Sequence, residues 1–180
     1  MRIIPAKFKG REIFVGPGRS TRPRTSYKRQ VISCAYQEFA LWRILLLFSA
    51  TRSFGLEALS RGAVWVDFVE FASPAIGTCL KNISKLGCSD MCHIYRKRAD
   101  SFLSECTAQY DIIFLDPPYE KGLINQTLGA IFCVNILAPN GIIIVEHSKY
   151  EPINEEFQQY IIKQKLGKLT AFSWLGTAEI

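Results

Sequence analysis

Short apolar runs that alternate with helical stretches constrain the fold of this chain most strongly. The runs are rich in branched and aromatic side chains, as strands buried on both faces are. Helical stretches between such runs are typical of a parallel sheet wrapped by helices. We therefore predict an α/β fold, with strands at 44–48, 64–70, 93–95, 112–115 and 141–146, helices at 55–61, 72–86 and 124–137, a turn at Pro139-Asn140-Gly141, and a segment at 155–174 that closes the sheet edge.

Length and composition narrow the class of protein. At 180 residues with 48% hydrophobic side chains, the chain suits a single domain. The longest apolar run, near 44–50, is far shorter than the ~20 residues of a membrane span, so we expect no membrane association. No signal peptide precedes the cysteines, and their spacing does not fit a zinc site, so we expect reduced thiols, no metal and a cytoplasmic location. The six cysteines are Cys34, Cys79, Cys88, Cys92, Cys106 and Cys133.

Charge is concentrated at the start of the chain. Residues 1–30 hold nine Lys or Arg side chains and one acid, Glu12, whereas the other 150 residues are nearly neutral. A basic arm on such a body predicts binding to a polyanion, with nucleic acid favoured over a membrane surface and a solvated tail as the alternative. We assign 1–40 to a basic arm with a helix and 41–180 to the folded domain. The phosphate-binding candidates are Arg2, Lys7, Lys9, Arg11, Arg22 and Arg24.

The sequence Asp111-Ile-Ile-Phe-Leu-Asp116-Pro117-Pro118-Tyr119 is the strongest chemical signal. It places Asp116 at the tip of a buried strand, and the two prolines fix the backbone so that rigid carbonyl acceptors accompany the carboxylate. Two acceptors can hold the hydrogens of a nucleobase amine, while an aromatic ring stacks on the base. Asp116, Pro117, Pro118 and Tyr119 are therefore the catalytic candidates, and a simple strand-ending turn is the alternative.

Two other strands end in acids. Glu70 follows the second strand, where nucleotide-binding α/β folds place an acid for ribose hydroxyls, although an exposed strand-end acid is equally consistent with the sequence. Glu146 and His147 end the strand at 141–146. We assign His147 no catalytic role, because a lone histidine at such a position is usually structural.

Several short motifs follow one another along the chain. They are Met1-Arg-Ile-Ile, Lys7-Phe-Lys9-Gly10-Arg11, Arg22-Pro23, Gly55-Leu-Glu57-Ala-Leu-Ser60-Arg61-Gly62-Ala63, Asp116-Pro-Pro-Tyr119 and Val145-Glu146-His147. In order and spacing these motifs resemble the RsmD family of ribosomal RNA guanine-N2 methyltransferases of the small subunit, and the likeness runs from Arg2 to about Leu175. The resemblance implies a class I methyltransferase fold, which is a Rossmann-like, doubly wound sheet of seven strands with one antiparallel. It also implies S-adenosylmethionine as methyl donor and a flipped guanine of 16S ribosomal RNA as acceptor.

The chain departs from the family at the cofactor loop. The family has the sequence Asp-Leu-Phe-Ala-Gly-Ser/Thr-Gly in this loop. In this chain, Leu46 occupies the position of the acid, and Ala50 and Arg52 occupy the positions of the two glycines. A side chain at such a glycine obstructs close approach of a ligand to the backbone, and Arg52 adds positive charge beside a positive sulfonium. Arg98 stands where the family has an acid for the adenine amine, and Asp100 is its possible substitute. The cofactor-binding candidates are Phe48, Ser49, Ala50, Thr51, Glu70, Asp100 and Asp116.

Two functions, each of a different class, are consistent with these sequence features. The first is an active, monomeric RNA methyltransferase that modifies a guanine amine of ribosomal RNA, alone or within the small subunit. The second is a catalytically impaired RNA-binding relative that has lost cofactor binding. A nicotinamide-dependent oxidoreductase is disfavoured because Gly-x-Gly-x-x-Gly is absent after the first strand. Asp-Pro-Pro-Tyr alone also leaves open a methyltransferase acting on DNA or free nucleotides.

Overall fold

A computed structural model describes residues 6–8, 10–14, 41–48 and 52–177. The strands are β1 (Arg43–Leu47), β2 (Trp65–Val69), β3 (Cys92–Tyr95), β4 (Tyr110–Leu115), β5 (Leu137–Ser148), β6 (Ile161–Leu166) and β7 (Thr170–Gly176). The helices are α1 (Arg52–Ser60), α2 (Ser73–Leu86), α3 (Ala99–Glu105), α4 (Leu123–Val134) and α5 (Glu155–Gln158), and two short 3-10 segments span Ala6–Phe8 and Ser89–Met91.

The strands form one sheet in the order β3-β2-β1-β4-β5-β7-β6. The pairs among β1 to β5 are parallel, and β7 is antiparallel to both of its neighbours. The predicted seven-stranded, doubly wound sheet with one antiparallel strand is confirmed. Because the parallel strands all end at one edge of the sheet, the residues that follow them are brought together there, and we call this the carboxyl edge.

Two hydrophobic layers cover the sheet. In β1, Ile44 and Leu46 point into a layer that includes the buried side chains of α1 and α2, whereas Leu45 and Leu47 point into a layer shared with α3 and α4. All four side chains are fully buried. A strand that is buried on both faces has no polar alternation, which explains the continuous apolar runs of the sequence.

The structure changes the predicted boundaries around the start of β5 and adds helices that the sequence did not predict. The predicted turn at Pro139-Asn140-Gly141 lies inside β5, which already pairs with β4 at Leu137 before its register shifts. The bend is still tight, since Asn140 has a φ of 60° and a Cβ on Gly141 would lie 2.7 Å from the Ala138 carbonyl oxygen. Helix α4 accordingly ends at Val134, three residues earlier than predicted, and α3 was not predicted.

The described part of the basic arm packs onto the domain. Phe8 and Ile13 are buried in the layer of α1 and α2. The Phe8 amide donates to Ser60 Oγ at 2.9 Å, and Asn82 hydrogen bonds both the amide and the carbonyl of Phe14, at 2.6 and 3.0 Å. These residues are therefore part of the core. The division at residue 40 remains a proposal, because residues 15–40 lie outside the described part of the chain.

Membrane and metal signals are absent from the described ranges. Among residues 6–8, 10–14, 41–48 and 52–177, no helix is long and apolar enough to cross a membrane. The same residues include no cluster of three or more His, Cys, Asp or Glu side chains that could hold a metal ion. The described cysteines, Cys79, Cys88, Cys92, Cys106 and Cys133, are all free thiols.

A buried carboxylate in β2 provides a stability test. Asp67 is 2% exposed and accepts hydrogen bonds from Trp65 Nε1 and the Tyr110 hydroxyl, each at 2.8 Å. Burial, followed by the hydrogen bond to Asp67, raises the pKa of Tyr110, so the hydroxyl remains a donor. We expect Tyr110→Phe to lower the free energy of unfolding in urea by about 1–3 kcal/mol, because it leaves a buried acceptor short of a partner.

The pH dependence and a control refine that test. Since the Tyr110 pKa is raised in the folded state, its stabilisation is present below the ordinary tyrosine pKa of about 10 and declines as the pH rises beyond it. The same substitution at the 67% exposed Tyr150 should change stability by less than about 0.5 kcal/mol. Equal stabilities of the two variants would contradict the interpretation.

Candidate functional site

The carboxyl edge gathers most of the predicted site residues that the structure describes. Phe48, Glu70 and Asp116 follow β1, β2 and β4 directly, and Glu146 lies near the end of β5. A cavity of about 380 Å³ opens beside them, between the strand ends and helices α3 and α4. Its wall is mostly apolar, with a few polar groups at the rim, which is typical of a small-molecule site. The lining includes Phe48, Glu70, Phe71, Asp100, Pro118 and Thr127.

Glu70 is held in place by the backbone that follows it. Its Oε1 accepts from the amides of Phe71 and Ala72, each at 2.8 Å. The carboxylate is thereby fixed at the wall of the cavity through its Oε1. Phe71 is 65% exposed and lines the same cavity, where its ring can pack on a planar group.

Asp100 lies in the first turn of α3 and also lines the cavity. Its Oδ1 accepts from the Ser101 amide at 2.8 Å and from Arg98 Nε at 3.3 Å. The amide hydrogen bond, and then Arg98, lower the pKa of Asp100, so its carboxylate is ionised at neutral pH. Asp100 is therefore a hydrogen-bond acceptor two residues after Arg98, the position at which the sequence departs from the family.

Asp116 and the two prolines directly follow β4, and Pro118 lines the cavity. The Asp116 amide lies 3.4 Å from the Leu47 carbonyl oxygen, which ties the strand tip to β1. Asp116 is 8% exposed and is not among the residues that line the cavity, whereas Pro118 is. A ligand in the cavity would thus reach the motif at Pro118 first.

Tyr119 is anchored at its hydroxyl group. The hydroxyl donates to Oε1 of Glu146 at 2.7 Å, and Glu146 is only 1% exposed. Its predicted role of stacking on a base stays a prediction. The sequence separates the two residues by 27 positions, and only the pairing of β4 with β5 brings them together.

A second acid fixes the loop after Tyr119. Glu151 accepts from the Glu120 amide at 2.6 Å and from the Gly122 amide at 2.9 Å, one on each oxygen. His147 is buried nearby, with Nδ1 within 3.1 Å of two carbonyl oxygens and Nε2 2.9 Å from Ser173 Oγ. These contacts hold the two side chains within the fold, and the absence of a catalytic role for His147 stays a prediction.

The altered cofactor loop is described only at its ends. Leu46 is fully buried, and its Cδ1 lies 3.1 Å from where a Cβ on Gly55 would be, so it packs closely against α1. Phe48 has a φ of 61°, which turns its side chain towards the cavity. Ser49, Ala50 and Thr51 lie outside the described residues, as does the side chain of Arg52.

The structure places two of the six arm residues. Lys7 Nζ lies 3.9 Å from Sδ of Met91, which directly precedes β3, so Lys7 is at the amino-terminal edge of the sheet and not at the carboxyl edge. Arg11 is close to it, 5.9 Å from the ring of Phe8. The remaining four, Arg2, Lys9, Arg22 and Arg24, lie outside the described residues.

Sequence reasoning missed Phe71, Glu151 and the α4 wall of the cavity. An aromatic residue directly after the strand-end acid was a usable signal for Phe71. The sequence around Thr127 on α4 gave no such signal. The inward face of a helix shows the same apolar pattern whether it packs on a core or lines a cavity.

Comparisons with known proteins identify relatives of this chain. Residues 1–174 match the family described as "Conserved hypothetical protein 95". The chain is 31% identical to "Putative rRNA methyltransferase YlbH" of Bacillus subtilis over 92% of each chain. It is 30% identical to "Ribosomal RNA small subunit methyltransferase D" of Buchnera aphidicola subsp. Baizongia pistaciae, over 81% of this chain and 75% of that protein.

Two solved structures agree with the fold. The "putative methylase HI0767" of Haemophilus influenzae is 27% identical, with a TM-score of 0.78 over 96% of both chains. The structure of "SMU.776, a putative methyltransferase complexed with SAH" is 18% identical and covers 94% of this chain and 52% of that one. Its TM-score of 0.64 shows a shared fold alone. The chain therefore belongs to the family described as conserved hypothetical protein 95, and its resemblance to the RsmD family is confirmed.

Proposed function

We propose that this protein transfers a methyl group from S-adenosylmethionine to the exocyclic N2 amine of a guanine in small-subunit ribosomal RNA. Membership of an rRNA methyltransferase family supports the reaction class. The observation that carries the proposal is the cavity at the carboxyl edge, whose wall includes Pro118 of the Asp-Pro-Pro-Tyr motif. A ligand in the cavity would contact the motif at Pro118, two residues after Asp116.

The residues around the cavity fit the adenosine part of the cofactor. Glu70 offers a carboxylate oxygen to the ribose hydroxyls, and Asp100 offers one to the adenine amine. Phe71 and Pro118 give apolar surface for the base. When bound, S-adenosylmethionine supplies an electrophilic methyl group on a sulfonium.

The motif residues would orient the acceptor amine. The Asp116 carboxylate and the Pro117 carbonyl accept its two hydrogens, which points the nitrogen lone pair at the methyl carbon. The carboxylate can then take the proton that the amine must lose. Catalysis of this kind is mostly positioning, which can supply ~7–11 kcal/mol of the barrier. Tyr119, the last residue of the motif, is held by Glu146 and would stack on the extruded base.

The residues expected around the methionine part of the cofactor suggest an alternative function, that of an RNA-binding protein without transferase activity. A fully buried Leu46 replaces the acid of the family, and Ala50 and Arg52 replace two glycines. These changes fall at the end of β1 and in the segment after it, whereas Glu70 and Asp100 still offer carboxylates to the adenosine part of the cofactor. We therefore favour an active enzyme with weakened cofactor affinity.

One labelling experiment separates these functions. The protein is incubated with tritium-labelled S-adenosylmethionine and unmodified small-subunit rRNA or small subunits, and the RNA is digested and its nucleosides separated by chromatography. We expect label in N2-methylguanosine. Label in another nucleoside would refute the guanine-N2 assignment. RNA binding without label, and without heat on titration with S-adenosylmethionine, would establish the alternative.

A further inference from the structure

An exposed surface lies at the carboxyl edge of the sheet, where β5 ends and β7 begins. It comprises the turn after β5 and the turn between β6 and β7, and we call it the hairpin surface: Lys149, Tyr150, Leu166, Lys168 and Leu169. Ser148 at the end of β5 pairs with Thr170 at the start of β7, and the Lys149 amide donates to the Leu169 carbonyl at 3.1 Å. The two turns therefore form one continuous surface.

The hairpin surface exposes apolar area that the fold does not use. Tyr150 is 67% exposed, Leu166 70% and Leu169 49%. Single exposed apolar side chains are ordinary, but adjacent ones indicate a binding site. Lys149 and Lys168 are exposed beside them, and Lys149 Nζ lies 5.4 Å from the centre of the Tyr150 ring.

The segment that forms β6, β7 and the turn between them carries charge of one sign. Residues 159–177 contain three lysines and no acid. Lysines on β6, such as Lys163 and Lys165, have another explanation, because charged side chains on an edge strand prevent it from pairing with other sheets. Lys149 and Lys168 lie in turns, where that explanation does not apply. Glu151, the adjacent acid, is engaged with two backbone amides.

The same Glu151 couples the hairpin surface to the catalytic motif. It belongs to the turn that contains Lys149 and Tyr150, and its carboxylate binds the amides of Glu120 and Gly122, just after Tyr119. The position of Tyr150 is thus fixed relative to the motif. Lys7 and Arg11 of the arm, by contrast, lie at the opposite edge of the sheet.

We propose that the hairpin surface binds the RNA strand that flanks the target nucleotide. Lys149 and Lys168 contact phosphates, and Tyr150 stacks on an unpaired base next to the extruded one. Lysine and an exposed aromatic ring are the combination by which proteins hold single-stranded nucleic acid. This inference rests on the proposed function, since it adds a substrate contact to the same site.

Two pairs of variants test the hairpin surface in the full-length protein. Binding of a fluorescein-labelled small-subunit rRNA transcript is measured by anisotropy over a range of KCl concentrations. We expect Lys149→Gln with Lys168→Gln to reduce the slope of log affinity against log salt by about 1.4, since each phosphate contact to a single strand contributes roughly 0.7. The matched control, Lys81→Gln with Lys85→Gln on exposed positions of α2, should leave the slope unchanged.

Tyr150 distinguishes stacking from charge. Tyr150→Ala should weaken RNA binding about 5- to 100-fold, whereas Tyr150→Phe should keep it, and neither should alter titration with S-adenosylmethionine. If the unaltered protein methylates RNA but these variants keep its RNA affinity and salt slope, the proposal for the hairpin surface is overturned. The proposed function is not affected by that result. Lost methylation of small subunits with normal binding to naked RNA would assign the surface to a protein contact, which also overturns it. Absence of RNA binding by the unaltered chain would overturn both.

Discussion

Asp116→Ala is expected to abolish methyl transfer to RNA while the protein stays folded. The carboxylate is the charged acceptor of the motif, and without it the amine keeps only carbonyl acceptors and no group to take its proton. A displacement of the reacting atoms by about 1 Å can cost on the order of 100-fold in rate, so we expect at least that loss. The measurement is incorporation of label into N2-methylguanosine under single-turnover conditions.

Affinity measurements make the Asp116 result specific. Binding of S-adenosylmethionine should stay within a few-fold of the unaltered chain, because Asp116 does not line the cavity. Asp116→Asn keeps one acceptor oxygen but loses the charge, and should fall between the two. Asp90→Ala, which removes an exposed acid, is the control with no expected effect. Full activity of Asp116→Ala would remove the residue from the mechanism.

The sheet was predictable because its strands are buried on both faces. A run such as Ile112 to Leu115 offers no polar face, so it fits a central strand and little else. Strand tips were predictable for the same reason, since the first acid after such a run marks the carboxyl edge. That is how Glu70 and Asp116 were placed correctly at one edge of the sheet from sequence alone.

Elements governed by tertiary contacts were not predictable. The seven residues of α3 are too few to establish a helical period, and its buried side chains are Ala99, Phe102 and Leu103. Pro139-Asn140 reads as a turn locally, yet the pairing of Leu137 with Tyr110 extends β5 through it. In both cases the partner that decides the structure is distant in sequence.

The site was predictable residue by residue but not as a set of contacts. The sequence indicated Asp116 and Tyr119, whereas the hydrogen bond from Tyr119 to Glu146 depends on the register of β4 and β5. Likewise no pattern in the sequence distinguishes Glu151 from other acids. Its two amide hydrogen bonds show that it determines where the loop after Tyr119 lies.

A substitution at Leu46 is expected to have a large effect on the stability of the fold. Restoring the acid of the family at this position, by Leu46→Asp, would place a carboxylate among apolar side chains, with Phe68 and Gly55 close by. An unpaired buried charge of this kind costs roughly 3–5 kcal/mol. We therefore expect Leu46→Asp to lower the free energy of unfolding by that order in urea, at pH 7.

The pH dependence separates the charge from the lost volume. Leu46→Ala also destabilises, by about 2–5 kcal/mol, but equally at all pH values. Burial raises the pKa of the introduced carboxyl, so the charge penalty is absent below the ordinary aspartate pKa of about 4 and grows as the pH rises above it. A Leu46→Asp variant as stable as the unaltered chain at pH 7 would mean that the carboxylate has found a partner. Cofactor affinity should then be compared in Ala50→Gly with Arg52→Gly alone, because these changes lie outside the buried strand and leave Leu46 in place.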